Sequence, residues 1–154
     1  MSGPHAKLAE LGRTLPAVTP PLAAYVPAVQ TGNHVYVSGQ LPMLDGALLA
    51  TGKVGAEVTP EAAKELAAQC ALNGLAALDA LVGLDRVVRI VKVVGFVAAA
   101  PGFTAVPGVV NGASELLAAV FGEAGRHARS AVGVAELPLG APVEVELIAE
   151  VAGA

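Results

Sequence analysis

The sequence predicts one small α+β domain in which two helices cover one face of a β-sheet. Its 154 residues fit a single domain, and a hydrophobic content of 55% is enough to build a sizeable core. Strand-like and helix-like segments follow one another in the order β-β-α-β-α-β-β, with no internal repeat. Two helices can cover only one face of a sheet this wide, so the other face needs a different cover.

The chain begins with weak structural signals. Residues 5–11 have a short helical pattern. Residues 14–27 contain four prolines, which predict an extended, irregular stretch and leave room for a small extra strand near Tyr25. We expect residues 1–154 to form a single domain in which residues 1–23 are an N-terminal extension.

The next elements are a hairpin and a long helix. Residues 34–38 alternate and are rich in β-branched and aromatic side chains, so they predict a strand. Asp45-Gly46 is a strong hairpin-turn signal, and a partner strand is expected at residues 47–50. Thr59-Pro60-Glu61 combines a cap, a proline suited to the first helical position and a favourable negative charge. The helix that starts there should run to about Leu81, before Gly83 ends it.

The second half should contain three strands and a helix. Residues 86–97 form a long β-branched run whose odd-numbered and even-numbered positions are both mostly apolar. A helix is predicted over residues 109–121, then a strand that ends at Ala135, then an alternating strand over residues 143–151. Because both faces of the long strand are apolar, a second copy of the chain is the simplest cover for the face without helices.

Charge and composition argue against several classes of function. The formal charge is −4, and the basic residues are scattered apart from Arg126 and Arg129, which disfavours nucleic-acid binding. The single Cys70 excludes an internal disulfide and a cysteine-based zinc cluster, and it is compatible with a reducing cytosol. We expect a cytoplasmic protein, because no charge-free apolar span reaches about 20 residues and residues 1–13 lack a signal-peptide pattern.

The strand after Gly125 carries the strongest candidate for a binding residue. We expect its even-numbered residues to face the core and its odd-numbered residues, including Arg129, Ala131 and Gly133, to face away. Arg129 would then have space beside small neighbours, as a site for a small carboxylate requires. The alternative is an ion pair between Arg129 and Glu144 or Glu146 of the next strand.

Other polar residues admit two interpretations each. Glu144 either belongs to a solvated strand face or polarises a water molecule near Arg129. Gly39, after Ser38, either forms a bulge or allows close backbone approach to a ligand, and the bulge is the better interpretation from the residues alone. Cys70 is expected to be buried and inert, and His127 is expected to be a surface imidazole beside two arginines.

Several segments together resemble the RidA (YjgF) family. Residues 36–42, Tyr-Val-Ser-Gly-Gln-Leu-Pro, resemble its first-strand motif, and residues 87–97 resemble its central strand. Residues 127–132, His-Ala-Arg-Ser-Ala-Val, followed by residues 136–138 and 143–149, resemble its C-terminal signature. The resemblance covers roughly residues 24–151, and the order and spacing of the motifs make it specific.

The resemblance implies a chorismate-mutase-like α+β fold, in which a mixed sheet carries two helices on one face. It also implies a homotrimer with three clefts at the subunit boundaries. Members hydrolyse reactive enamines and imines, such as 2-aminoacrylate, to 2-keto acids and ammonia without a metal or an organic cofactor. By this resemblance Arg129 would bind the substrate carboxylate, Glu144 would orient or activate the water, and backbone near Ala131 would position it. The remaining cleft residues would be Tyr25, Ser38, Gly39 and either Asn111 or Ser114.

The chain also departs from the family pattern. Ala131 stands where the family usually has a cysteine, and Tyr25-Val26-Pro27 replaces Tyr-Ser-Gln. The extra residues before the second helix leave two positions, Asn111 and Ser114, for the cleft asparagine. These departures are typical of a divergent branch, and they keep two alternatives open: a trimeric protein that binds a small carboxylate metabolite without turnover, and, less favoured by the charge, an endoribonuclease.

Overall fold

The computed structural model describes residues 2–153. Within them the α-helices are α1 (Pro4–Glu10), α2 (Pro60–Val82) and α3 (Val106–Phe121). The strands are β1 (Ala28–Thr31), β2 (His34–Gln40), β3 (Met43–Leu44), β4 (Ala47–Leu48), β5 (Val87–Ala98), β6 (Ala128–Val134) and β7 (Val143–Val151). The α+β class predicted from the sequence is confirmed.

Five of the strands form one mixed sheet in the order β1-β2-β7-β5-β6. β5 and β6 run parallel, and the other neighbours are antiparallel. β3 and β4 form a separate hairpin around Asp45 and Gly46, which both adopt positive φ. The predicted turn is therefore correct, but the strand after it pairs with Met43–Leu44 and not with β2. The strand expected near Tyr25 lies at Ala28–Thr31, beyond the last proline of that stretch.

Local chemistry fixes both ends of α2. The Thr59 side chain accepts a 3.1 Å hydrogen bond from the Ala62 backbone N–H, and Pro60 occupies the first turn. The helix ends at Gly83, whose φ of 83° is readily adopted only by glycine. By length and composition α2 could cross a membrane, but 67% of its apolar window is buried inside this fold. It is the central core helix.

α2 and α3 lie side by side on one face of the sheet. α3 begins at Val106, three residues before the predicted start, with Pro107 in its first turn. The two helices cross closely at Gly112, where a Cβ would overlap the Lys64 carbonyl oxygen. A glycine at this crossing therefore sets how near α3 can approach α2.

The two faces of the sheet differ in cover. On the helix face, β7 buries every odd-numbered residue from Val143 to Val151. The opposite face, which we call the open face, carries Glu144, Glu146 and Ile148 on the same strand. Exposed apolar side chains on this open face include Tyr36 at 46% and Val132 at 42%. Within one chain the helices thus cover a single face, as predicted.

The predicted faces of β5 and β6 need correction. Two register shifts in β5, between Val87 and Arg89 and between Ile90 and Lys92, break strict alternation, so buried Ile90 and Val93 share the helix face. In β6 the assignment is reversed. Arg129 pairs with Val93 and therefore points to the helix face, while Val132 lies on the open face.

The N-terminal segment packs against the helices. Leu8 of α1 is only 2% exposed and belongs to the main core. His5 lies 3.0 Å from Asp79 of α2, and Arg13 forms a 2.8 Å ion pair with Glu65 of the same helix. The residues expected to be an extension are thus joined to the core by apolar contacts of Leu8, Leu15 and Val18 and by these two polar contacts.

Candidate functional site

Arg129 is held by α3. Its Nη1 donates to Asn111 Oδ1 at 2.7 Å and to Ser114 Oγ at 3.2 Å, and its Nη2 donates to the Pro107 carbonyl at 3.4 Å. Asn111 and Ser114 are three residues apart and therefore share one face of the helix. The ion pair with Glu144 or Glu146 that the sequence left open is not formed, because the glutamates lie on the other face of the sheet.

Part of the Arg129 guanidinium stays available. A guanidinium carries five N–H groups, and the three bonds to α3 use both on Nη1 and one on Nη2. Among residues 2–153 the Nε–H and the second N–H of Nη2 have no hydrogen-bond acceptor. The side chain is half-buried, so these two donors are pre-oriented for an anionic ligand.

His127 lies beside this arginine and was expected at the surface. Instead, its Nε2 is 2.9 Å from Ser114 Oγ and its Nδ1 is 2.6 Å from the Gly125 carbonyl oxygen. Partial burial lowers the pKa of His127 from its usual 6.5; the Gly125 bond opposes this shift and the Arg129 charge adds to it. We call Arg129, Asn111, Ser114 and His127 the arginine cluster.

The arginine cluster opens to solvent through a pocket of about 340 Å³ between α3 and the start of β6. Ser114, His127 and Arg129 all line it, together with Glu115 and Arg126. The pocket is large enough for a small metabolite. Sequence reasoning did not select His127; the available signal was its position two residues before Arg129, just ahead of β6.

A second cluster forms where β2 meets β7. A Cβ on Gly39 would overlap Glu144 Oε1, so the carboxylate occupies the space that any other residue would fill. The register also shifts between Val37 and Gln40, which agrees with the bulge interpretation of Gly39; the group that approaches Gly39 closely is the Glu144 side chain of the same chain. Burial raises the pKa of Glu144 from its usual 4.5, and Glu146 raises it further.

Ser38 and Tyr25 lie next to this second cluster. Ser38 Oγ donates a 2.6 Å hydrogen bond to the Val26 carbonyl, which ties the proline-rich segment to β2. Tyr25 Oη accepts a 3.3 Å bond from the Leu22 backbone N–H, and Tyr25 and Gly39 line the same small pocket. We call Tyr25, Ser38, Gly39 and Glu144 the glutamate cluster.

Within one chain the two clusters are apart. Arg129 pairs with Val93 of β5, which in turn pairs with Leu147 of β7, and all three lie on the helix face. Glu144 pairs with Phe96 on the opposite face. β5 separates β6 from β7, so the strands that carry Arg129 and Glu144 are about 10 Å apart in the sheet. The eight candidate residues therefore do not form one pocket in a single subunit.

Ala131 lies two residues after Arg129 and packs against the core, paired with Gly95. β6 is an edge strand of the described sheet, so alternate backbone N–H and C=O groups of β6 have no strand partner.

Cys70 is fully buried. Burial, and to a smaller extent Glu144, raises the pKa of its thiol well above the ordinary value. It is an inert core residue, as expected. Residues 2–153 contain no group of three His, Cys, Asp or Glu side chains placed to hold a metal ion.

Comparison with known proteins gives one consistent result. Residues 16–151 match the family model described as endoribonuclease L-PSP. Protein TCP17 of Trypanosoma cruzi is 47% identical over 147 residues, which span 94% of this chain and 92% of that protein.

Solved structures agree with the sequence match. A Shewanella oneidensis protein proposed to be an endoribonuclease superposes with a TM-score of 0.95 at 34% identity, over 97% of this chain and all of that one. RidA from the Antarctic bacterium Psychrobacter superposes with a TM-score of 0.62 at 29% identity, over 90% of this chain and 97% of that one. The fold therefore matches the first structure more closely than it matches RidA.

Proposed function

The chain belongs to the endoribonuclease L-PSP family, that of the RidA (YjgF) proteins, and on this premise we propose that it hydrolyses small enamines and imines that carry a carboxylate. The products would be a 2-keto acid and ammonia. One observation carries the proposal: Arg129 is oriented by Asn111 and Ser114 while two of its N–H donors remain available beside an open pocket.

The arginine cluster would bind the substrate. The two available N–H groups suit the two oxygens of one carboxylate, a charge-assisted arrangement that Arg forms better than Lys. Asn111 and Ser114 both accept hydrogen bonds from Arg129 Nη1, so both side chains would help to bind the substrate by fixing the plane of the guanidinium. A substrate fixed by its carboxylate presents the adjacent C=N carbon in a defined place, which lowers the entropic barrier to attack.

Glu144 would act on the attacking water. The water oxygen bonds to the imine carbon, the C=N π pair moves to nitrogen, and the water proton passes to the carboxylate. Glu144 returns that proton to nitrogen, which gives a carbinolamine. Glu144 then takes the remaining hydroxyl proton, the oxygen electrons form the C=O bond, the C–N bond breaks with its electrons on nitrogen, and Glu144 passes the proton to that nitrogen, so that ammonia leaves and a keto group remains. The raised pKa of Glu144 suits it to both transfers, because a base whose pKa lies nearer the working pH exchanges protons more readily.

The clusters would meet between subunits. Arg129 and Glu144 lie on opposite faces of one sheet, and apolar side chains such as Val132 and Tyr36 are exposed on the open face. We infer that neighbouring copies in a homotrimer cover the open face and bring the glutamate cluster of one chain to the arginine cluster of the next. Backbone groups of edge strand β6 near Ala131 would then position the water. We also propose that the protein works in the cytoplasm without a metal or an organic cofactor.

The test is turnover of 2-iminopropionate generated in situ, followed as release of keto acid above the spontaneous rate. Arg129→Ala should lower kcat/KM by at least about a hundredfold, because the carboxylate anchor is lost. Arg13→Ala is the matched control: Arg13 does not line this pocket, and it pairs with Glu65 of α2 at 2.8 Å. Its variant should retain wild-type activity.

Three results would contradict the proposal. If Arg129→Ala is as active as wild type, the anchor is wrong. Binding of 2-keto acids by calorimetry without any turnover would indicate a metabolite-binding protein instead. Cleavage of RNA by highly purified protein, abolished in Arg129→Ala, would indicate the endoribonuclease activity that the charge of −4 disfavours.

A further inference from the structure

Three residues of the arginine cluster form a chain of hydrogen bonds that ends at the Gly125 carbonyl oxygen. Arg129 Nη1 is 3.2 Å from Ser114 Oγ, Ser114 Oγ is 2.9 Å from His127 Nε2, and His127 Nδ1 is 2.6 Å from the Gly125 carbonyl oxygen. The two ends of this chain limit where its protons can lie. An arginine nitrogen can only donate and a carbonyl oxygen can only accept.

The proton positions follow from those ends. Because the Gly125 oxygen accepts, His127 Nδ1 carries a hydrogen. Because Arg129 donates to Ser114 Oγ, the Ser114 hydroxyl hydrogen is free to bond to His127 Nε2 when His127 is neutral, since Nε2 is then an acceptor. Neutral His127 with its hydrogen on Nδ1 thus gives each contact one donor and one acceptor, and such aligned bonds strengthen one another.

We propose that His127 is a positioning residue for Arg129: by accepting the Ser114 hydroxyl hydrogen, it turns the lone pairs of Ser114 Oγ toward the guanidinium. This inference rests on the proposed function, since it assigns a purpose to the orientation of the carboxylate anchor. His127 itself touches no substrate in this scheme and acts only through Ser114.

The charges around His127 favour its neutral form. Arg129 follows His127 by two residues, and Arg126 directly precedes His127 and pairs with Glu123 at 3.5 Å. From α3, Glu115 lines the same pocket but forms a 3.0 Å ion pair with Lys64. From β5, the Arg89 guanidinium reaches the Arg126 carbonyl at 3.0 Å.

The hydrogen-bond chain should depend on pH, because it needs neutral His127. Above the lowered pKa of His127 the chain of bonds is intact. As pH falls through that pKa, Nε2 gains a hydrogen that points at Ser114 Oγ, so the serine hydrogen loses its acceptor. The contribution of the hydrogen-bond chain to carboxylate binding should therefore disappear on acidification, whereas the new positive charge on His127 by itself attracts the anion.

The experiment is calorimetric binding of pyruvate from about pH 8 to about pH 5, the range over which imidazole titrates. At pH 8 wild type should bind roughly tenfold more tightly than variants that lack the chain, the difference expected when a hydrogen bond to a charged group fails. His127→Asn keeps a donor for Gly125 but has no atom at the position of Nε2 to accept from Ser114, and Ser114→Ala removes the link. Both should bind roughly tenfold more weakly than wild type at pH 8, and the difference between wild type and Ser114→Ala, which both keep His127, should disappear at the acidic end. His5→Asn is the control: His5 lies on α1 and contacts Asp79, so this variant should behave as wild type.

The outcomes separate this inference from the proposed function. If pyruvate binding needs Arg129 but His127→Asn keeps the wild-type affinity and pH profile, the positioning role is wrong and the anchor stands. If Arg129→Ala binds pyruvate as wild type does, the anchor itself is wrong. Nitrogen NMR of isotope-labelled wild type gives an independent check that needs no variant: a neutral His127 with its hydrogen on Nε2 would overturn the inference.

Discussion

The Glu144 carboxylate occupies the space beside Gly39 that a side chain would otherwise fill. A Cβ built on residue 39 would overlap Glu144 Oε1 and stand 3.0 Å from its Cδ and 3.3 Å from its Cγ. This contact joins β2 to β7 at the point where their register shifts. The position of the carboxylate therefore depends on the absence of a side chain on the neighbouring strand.

Replacing Gly39 with Ala should displace the Glu144 carboxylate. The terminal atoms of a glutamate can rotate away, so the free energy of unfolding should change by less than about 1 kcal/mol. Imine hydrolysis should fall between about tenfold and a hundredfold, because the water-activating group moves. Gly108→Ala is the matched control, since its Cβ would meet no atom within 4 Å. Equal activity of the two variants would show that Glu144 needs no fixed position.

Replacing Glu144 with Gln should stabilise the protein while it lowers activity. Burial and Glu146 raise the folded-state pKa of Glu144 above its unfolded value, so its contribution to stability is fully present below about pH 4.5 and is lost as pH rises through the folded pKa. At neutral pH the variant should gain about 0.5 kcal/mol, discounted for the partial exposure of the group. The gain in the free energy of unfolding is measured by urea unfolding at neutral pH and at about pH 4. A gain that persists at the lower pH would show that the ionised carboxylate is not its source.

Much of the fold could be predicted because its signals are local. The cap at Thr59, the glycine at Gly83 and the alternation of β7 each specify an element from a few residues. The faces of β5 and β6 could not be predicted in this way. The two register shifts in β5 cannot be recognised in the sequence, because β5 is a continuous run of β-branched residues. β6 contains only small or moderately apolar residues around Arg129, so its face is set by pairing with β5 and not by its own pattern.

The sequence predicted several residues of the candidate site, but it did not predict how they contact one another. Arg129 was selected for its guanidinium and its small neighbours, yet its contacts with Asn111 and Ser114 depend on where α3 lies on the sheet. His127 was assigned to the surface because an isolated imidazole carries no spacing signal. Its bonds to Ser114 and Gly125 join residues from a helix and a loop that the sequence alone does not bring together.

Replacing Asn111 with Asp should weaken carboxylate binding without altering the shape of the site. The new carboxylate would lie about where Oδ1 now accepts the 2.7 Å bond from Arg129, and it would neutralise the guanidinium and repel an anionic ligand. We expect the affinity for pyruvate, measured by calorimetry, to fall at least about tenfold. Asn33→Asp adds the same charge at an exposed turn and should leave the affinity unchanged. Equal loss in both variants would indicate a general charge effect and not a local one.

Replacing Val132 with Glu should separate the subunits. Val132 pairs with Phe96 on the open face and is 42% exposed, so in one chain a glutamate there costs little. In a homotrimer that covers this face, the carboxylate would be buried without a partner, which costs several kcal/mol. Analytical ultracentrifugation should then show the mass of a single chain, and imine hydrolysis should be lost although Arg129 keeps its bonds to Asn111 and Ser114. Leu81→Glu is the control, because Leu81 is 46% exposed on α2, away from the open face. A Val132→Glu protein that remains oligomeric and active would show that the open face is not the interface and that the two clusters do not meet across it.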